Sequence, residues 1–146
     1  MGNLHLIKLC VGAESFDDHK RWIDTMLAAK RQRGIEAEQR HTTRMVPKRT
    51  AELLDGGSLY WVIKGQVQAR QAIIDIRPFE DIDGINRCHL VLEPNLIATR
   101  PQPRRPFQGW RYLKADDAPA DWADRPESMD DLPPQMRRDL ADLGLL

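Results

Sequence analysis

The sequence predicts an α+β fold, with a small mixed β-sheet or small β-barrel flanked by two or three helices and followed by an acidic C-terminal tail. One long helical pattern is followed by four or five short runs rich in β-branched and aromatic residues, separated by turn residues. A chain of 146 residues corresponds to one domain that can bury a core without metal or disulfide crosslinks. We therefore divide the chain into an α+β body, residues 1–114, and a tail, residues 115–146.

The body begins with a predicted strand and the longest predicted helix. The segment LHLIKLCV, residues 4–11, is apolar and too short for an isolated helix. Ser15 and Asp18 then have the spacing of a helix capping pair, and apolar side chains recur at helical spacing until Gly34. The pattern predicts a helix between these signals, with His19 in its buried face.

The middle of the chain predicts a short helix and a succession of strands. The stretch RHTTRMVPKRTAELLDGG is typical of a strand through Met45 and a helix between Pro47 and Gly56. SLYWVIKG is apolar on both alternating faces, which predicts a central strand. QVQARQAIIDI is expected to continue extended beyond Gly65, with a bulge or bend at that glycine. DIDG predicts a hairpin turn, and LIATR predicts another strand after Pro94.

Charge is divided unevenly between body and tail. Residues 1–114 carry 19 Lys and Arg against 13 Asp and Glu, whereas residues 115–146 carry 3 against 9. A basic body is typical of a protein with a polyanionic partner. The tail is predicted to be a proline-containing linker anchored by Trp122, with a last helix starting at Pro134. It either shields the basic surface or keeps the protein soluble.

Several classes of protein lose support. No apolar run approaches the roughly 18 residues of a membrane span, and the N-terminus lacks the pattern of a secretory signal. Cys10 and Cys88 are far apart, without metal-ligand spacing, and are expected to be reduced structural thiols. No Gly-rich phosphate loop or nucleophile elbow occurs. We expect a cytoplasmic protein without metal or cofactor.

The stretch RPQPRRPFQGWRYLK, residues 100–114, has five basic side chains, three aromatic rings and no carboxylate. Single-stranded nucleic acid is bound by cations that follow phosphates and by rings on which bases stack, at about 1–3 kcal/mol per base. The residues predicted to form such a platform are Arg104, Arg105, Trp110, Arg111 and Tyr112. The alternative is that the rings are ordinary core and the arginines a solvated rim.

A second candidate cluster starts at HTTR, residues 41–44. H-x-T is half of the paired motif of two-histidine phosphoesterases, and no second half is present. What remains is a cationic strand in which His41, Arg44 and Lys48 can hold a phosphate. Lys64 and Arg70, with Gln71, are candidates to line a pocket with His41 and Arg44. A surface histidine and a strand edge facing water are the alternatives.

Three blocks, RHTTRMVPKR, GGSLYWVIKG and RPFQGWRYL, resemble the signature blocks of a small bacterial protein family classed as a domain of unknown function. The resemblance covers nearly the whole chain and implies no catalytic assignment. The order of elements is also similar to PUA-like barrels, including the ASCH group. That weaker likeness implies binding of RNA or modified nucleotides.

Three functional hypotheses follow from these patterns. The first is an RNA- or nucleotide-binding module that uses the basic and aromatic platform. The second is a small metal-independent nuclease or phosphoesterase with His41 as acid or base and Arg44, Lys64 or Arg70 as transition-state stabilisers. The third is a protein-interaction adaptor recognised through its acidic tail.

Overall fold

The computed structural model describes residues 3–125. In chain order the elements are β1 (Leu4–Leu9), α1 (Phe16–Gln32), β2 (Gln39–Thr43), α2 (Thr50–Leu54), β3 (Ser58–Ile63), β4 (Gln66–Glu80), β5 (Asn86–Leu92), β6 (Ile97–Pro103), β7 (Trp110–Lys114) and a short 3-10 turn at Ala115–Asp117. The predicted last helix lies outside the described residues. Neither helix of this part is long and apolar enough to cross a membrane.

The strands form one mixed sheet in the order β2-β5-β4-β3-β1-β7. β6 lies outside this order and pairs with the first half of β4. β1 and β3 are parallel, and the other pairings are antiparallel. The α+β class and the mixed sheet are therefore confirmed. The predicted barrel does not form within residues 3–125, because β2 pairs only with β5 and β7 only with β1, so the two end strands do not meet.

The long strand β4 organises the sheet. Its first half pairs with β3 and β6, and its second half pairs with β5. A register shift between Ile73 and Asp75 separates the two halves, and such irregularities bend a strand and increase its twist. The two halves of β4 thus differ in orientation, and the His41 ring of β2 contacts the Trp61 ring of β3 edge-on, with centroids 5.1 Å apart.

Both faces of the central strands are buried. The larger cluster includes Leu6, Leu59, Trp61, Ile63, Leu90 and Trp110, and the smaller one, on the opposite face, is formed by Ile7, Tyr60, Val62, Val67 and Leu113. All six residues of β3 are buried. The prediction of a central strand in SLYWVIKG is confirmed, because only a strand covered on both sides can bury consecutive side chains.

Helix α1 begins and ends where the sequence signals predict. The Ser15 side chain accepts a hydrogen bond from the Asp18 backbone N–H at 3.1 Å, and Gly34 follows the helix with φ +70°. The buried face consists of Phe16, His19, Ile23 and Leu27. Trp22 lies off this face and is 55% exposed, although its ring is stacked on His19.

The predicted extended segment after Gly65 is confirmed as strand β4, and the predicted bend at Gly65 is a tight turn at which the chain reverses direction. Lys64 and Gly65 both have positive φ, 51° and 75°, and Ile63 pairs with Gln66. A two-residue turn with two positive φ angles matches the right-handed twist of the flanking strands. Lysine seldom has a positive φ. Because Lys64 stands where such turns usually have Asn or Asp, the sequence does not show the usual signal of a two-residue hairpin.

Candidate functional site

Trp110 is part of the core. It is 6% exposed, its ring packs edge-on against Tyr112 at 4.8 Å between centroids, and its indole Nε1 donates a hydrogen bond to the Met45 carbonyl at 2.8 Å. A ring buried in this way presents no face on which a base could stack. Its placement favours the interpretation in which Trp110 is core.

β7 holds the segment between β2 and α2 in place. The Tyr112 hydroxyl accepts hydrogen bonds from the backbone N–H groups of Lys48 and Arg49 at 3.0 and 3.3 Å. Met45 is fixed by Trp110, and its terminal methyl lies 3.9 Å from the position of a Cβ on Gly109. Residues 44–49 and residues 109–112, which are far apart in sequence, are therefore neighbours.

Two of the predicted cations lie over the Phe107 ring. The guanidinium groups of Arg104 and Arg111 lie 5.7 and 5.4 Å from the centroid of its half-buried ring. Arg111 also donates to the carbonyls of Gln108 and Trp110. Arg105, between them in sequence, is exposed.

We call the resulting surface the basic edge. It consists of Arg44, Lys48, Arg104, Arg105 and Arg111, which lie around the edge strand β7. None of these five makes an ion pair with a carboxylate of residues 3–125. The segment of Arg44 and Lys48 contacts Trp110 and Tyr112 on one face of β7. Arg104 and Arg111 lie over Phe107, which packs on the opposite face, so the two candidate clusters flank the same strand.

Arg70 and Lys64 lie elsewhere. Arg70 donates two hydrogen bonds of 2.7 Å to the Asp121 carboxylate and a third, of 2.9 Å, to Ser58 Oγ. The hydrogen bonding between Arg70 and Asp121 raises the pKa of Arg70 and lowers that of Asp121. Lys64 is in the exposed hairpin turn, with Nζ 3.8 Å from a Glu14 carboxylate oxygen. The expected pocket of these two cations with His41 is not assembled.

The beginning of the tail lies against the body. The Asp121 carboxylate pairs with Arg70, and the Trp122 backbone N–H donates to the Ala98 carbonyl at 2.8 Å. The guanidinium of Arg100 lies 5.1 Å from the Trp122 ring centroid. Residues 118–125 are thus held on β4 and β6 by directed contacts, with Trp122 acting as the anchor that the sequence indicates.

His41 faces a cavity of about 350 Å³ between α1 and the sheet. The residues around it come from β1 and the following loop, α1, β2 and β3; they include Lys8, Cys10, His19, Trp22, Gln39, Arg40, His41 and Trp61. Arg44, Lys64 and Arg70 are not among the lining residues. Across residues 3–125, no three His, Cys, Asp or Glu side chains converge where they could share a metal ion.

A buried amide network supports the cavity. Gln71 donates to Gln39 Oε1 at 2.7 Å and to the Glu93 carbonyl at 3.0 Å, and it accepts from Trp61 Nε1 at 2.9 Å. The Trp61 ring in turn contacts both imidazoles edge-on, with centroids 5.0 Å from His19 and 5.1 Å from His41. Satisfied buried polar groups of this kind hold neighbouring side chains in one arrangement.

Burial controls the ionisation of the cavity. It lowers the pKa of His41 to about 4, with further lowering by the positive charge of Lys8 and by His19. It also lowers the pKa of His19, against a smaller opposing effect of the Gln71 amide. Burial raises the pKa of Cys10 to about 11, against a smaller opposing effect of Lys8. Near neutral pH the cavity therefore contains two neutral imidazoles and a protonated thiol.

The histidines predict how stability depends on pH. The ordinary pKa of histidine is about 6.5, so between about pH 6.5 and 4 the unfolded chain binds a proton on His41 that the folded chain does not. The pKa values of His5, His19 and His89 are also lowered by burial. Stability should thus fall as the pH falls through this window.

His41→Gln tests the contribution of one residue. We expect the slope of unfolding free energy against pH to decrease by up to about 1.4 kcal/mol per pH unit between about pH 4 and 6.5. Above about pH 7 the slopes of variant and parent should agree, since the imidazole is neutral in both states. Urea denaturation over a pH series measures both regions. Identical slopes in the acidic region would contradict a lowered pKa of His41.

Sequence reasoning missed most of the cavity. His19 was placed in the buried face of its helix, which is correct, but its part in a cavity was not predicted. Gln39 and Trp61 each sit in a strand, where buried polar and aromatic residues are common. The helical spacing also predicts Trp22 on the apolar face of α1, and the structure corrects this: Trp22 is 55% exposed and lines the cavity.

Comparisons with known proteins show the family of the chain. No curated protein and no solved structure matched it, so the likeness to PUA-like barrels stays unconfirmed. A family model described as "Protein of unknown function (DUF1489)" matches residues 6–146. This match covers the blocks that carried the resemblance in the sequence, together with both the basic edge and the cavity. The chain belongs to the DUF1489 family.

Proposed function

We propose that this protein is an RNA- or nucleotide-binding module that contacts phosphates through the basic edge. The carrying observation is that five cations are gathered around β7 without a carboxylate partner among residues 3–125. Arg77, on the second half of β4, is paired with Asp75 and Glu38, and Arg49, whose guanidinium lies over the Tyr112 ring of β7, is paired with Glu52. Unpaired like charges repel one another, and a polyanion relieves that repulsion.

The chemistry of the basic edge suits phosphate. Four of its five cations are arginine, whose planar fork donates two hydrogen bonds to one phosphate and also stacks on rings. Arg104 and Arg111 are already positioned over Phe107, so less side-chain freedom is lost when they bind. Because Trp110 is buried, the aromatic part of the proposed contact is limited to the half-buried rings of Phe107 and Tyr112.

The double variant Arg104→Ala/Arg105→Ala tests the basic edge by fluorescence anisotropy with a labelled single-stranded RNA of about 12 nucleotides. If the parent neutralises about four phosphates, log affinity falls against log salt with a slope near about −3. We expect the double variant to bind about tenfold more weakly at low salt, with a slope shallower by about 1.

Arg31→Ala/Arg33→Ala is the matched control, because it removes the same charge from exposed positions at the end of α1. Both double variants should keep the melting temperature of the parent, since surface substitutions of this kind change stability by less than about 0.5 kcal/mol. Equal RNA affinities and equal salt slopes for the two double variants would show that net charge alone, and not the basic edge, determines binding.

A further inference from the structure

Arg70 is bound by a carboxylate of the tail in the geometry that arginine uses for phosphate. Its Nε and Nη2 donate to the two oxygens of Asp121 at 2.7 Å each, and its Nη1 donates to Ser58 Oγ at 2.9 Å. The same planar fork of two donors binds two oxygens of a phosphate group. Asp121 therefore occupies the acceptor position of an arginine that is suited to phosphate.

Ser58 orients the guanidinium independently of the tail. Ser58 lies in β3 and is 1% exposed, so its hydrogen bond with Arg70 joins two strands of the body. If Asp121 left, this bond would still direct Nε and Nη2 towards the position that the carboxylate now fills. Donors that are fixed in advance lose little side-chain freedom when a new acceptor binds.

Arg70 also lies on the same face of the sheet as part of the basic edge. It is the cross-strand partner of Tyr60, and directly opposite side chains of an antiparallel pair share one face. Tyr60 belongs to the smaller hydrophobic cluster, against which Phe107 packs. Arg104 and Arg111 lie over that Phe107 ring. An anion held by these two cations is therefore on the side of the sheet from which Arg70 is reached.

Few backbone contacts hold the tail segment, residues 118–125, on the body. Asp121 forms an isolated bridge with Thr99 rather than a ladder, and the backbone of the segment makes two hydrogen bonds of 2.8 Å with β6. The Asp121 side chain is 44% exposed, so its pair with Arg70 is open to screening and to competing anions. A segment held in this way opens at a lower cost than the fold as a whole.

We propose that Asp121 masks a second phosphate-binding position at Arg70, and that a bound RNA strand replaces its carboxylate and displaces residues 118–125 from β6. This inference rests on the proposed function, because the phosphate that reaches Arg70 belongs to the strand held at the basic edge. The tail segment thus lowers the affinity for RNA, since the pair between Asp121 and Arg70 must break before Arg70 binds phosphate.

Asp121→Asn tests the mask in the anisotropy assay with labelled single-stranded RNA. We expect it to bind about three- to tenfold more tightly than the parent at low salt, with a salt slope steeper by about 0.7, the value for one further phosphate. Asp121→Asn/Arg70→Gln restores the net charge of the parent and removes the uncovered guanidinium. Its affinity should return to within about twofold of the parent, because the gain depends on Arg70.

Asp124→Asn is the matched control, because it removes the same charge from the same segment. The partner of Asp124 is Arg100, which keeps its contact with the Trp122 ring in this variant. We expect its RNA affinity to stay within about twofold of the parent, since exposed single charges act weakly. Equal affinities of Asp121→Asn and Asp124→Asn would overturn the inference, because charge alone would then explain any gain.

Hydrogen exchange of the unsubstituted protein tests the displacement directly, and it decides the question even if Asp121→Asn does not fold. The backbone N–H groups of Arg100 and Trp122 are protected by the hydrogen bonds between β6 and the tail segment. Saturating RNA should raise the exchange rates of both by at least about fivefold. Unchanged exchange at these two amides would overturn the displacement.

The two proposals can fail separately. If Arg104→Ala/Arg105→Ala weakens RNA binding but Asp121→Asn behaves like Asp124→Asn, the basic edge stands and the mask is overturned. If the double arginine variant binds like the parent but Asp121→Asn binds more tightly than Asp124→Asn, phosphate is bound at Arg70 and the basic edge is overturned. If neither the parent nor Asp121→Asn binds RNA, both proposals are overturned.

Discussion

Trp110→Ala is expected to lower the free energy of unfolding by about 3–5 kcal/mol, because a large side chain is removed from a packed core. Trp110 is 6% exposed and belongs to the main hydrophobic cluster. The change also removes the hydrogen bond that the indole donates to the Met45 carbonyl. Urea denaturation at neutral pH measures the loss, and RNA binding should weaken only to the extent that residues 44–49 lose their anchor.

Trp22→Ala is the matched control, since it makes the same chemical change at a ring that is 55% exposed. We expect it to cost less than about 1 kcal/mol of stability, because little core packing is lost. A Trp110→Ala variant as stable as the parent, yet about tenfold weaker in RNA binding, would reverse the assignment. It would return Trp110 to the role of a stacking surface.

Gly57→Ala is expected to cost about 3 kcal/mol or more, by overpacking against backbone that has no room to move. A Cβ at this position would overlap the Leu53 carbonyl oxygen and would lie 2.7 Å from that of Leu4. The surrounding backbone is fixed, because the Gly57 N–H donates to Leu53 at 2.9 Å and its carbonyl accepts from Ile73 at 3.0 Å. The expected result is a large fall in melting temperature or loss of soluble protein.

Gly34→Ala distinguishes this clash from ordinary glycine strain. Gly34 has φ +70°, and no heavy atom lies within 4 Å of an added Cβ. Alanine there should cost about 1 kcal/mol, the usual penalty of a left-handed conformation. Similar melting temperatures for the two variants would mean that the backbone relaxes around the methyl group added in Gly57→Ala. The close approach of Gly57 to the Leu53 and Leu4 carbonyls would then not be required for stability.

The sequence alone was sufficient for features that depend on neighbouring residues. The Ser15 cap, the end of α1 before Gly34, the buried run of β3 and the turn at DIDG all appear as predicted. Each reflects local chemistry: a side chain that caps its own helix, a glycine that tolerates positive φ, or a turn formed by adjacent residues. The excess of basic residues in the stretch 100–114 was equally evident without the structure.

The tertiary structure decided which side chains meet. Whether Trp110 is exposed depends on the register of β7 against β1, and that pairing joins residues about a hundred positions apart. Arg70 is removed from the candidate site by Asp121, and His41 is joined to His19 by the curvature of β4 and the packing of α1. Sequence patterns report which faces are apolar, but they carry no information on partners from distant segments. The basic edge could therefore be predicted in part, and the cavity could not, because its lining comes from four elements that only the fold brings together.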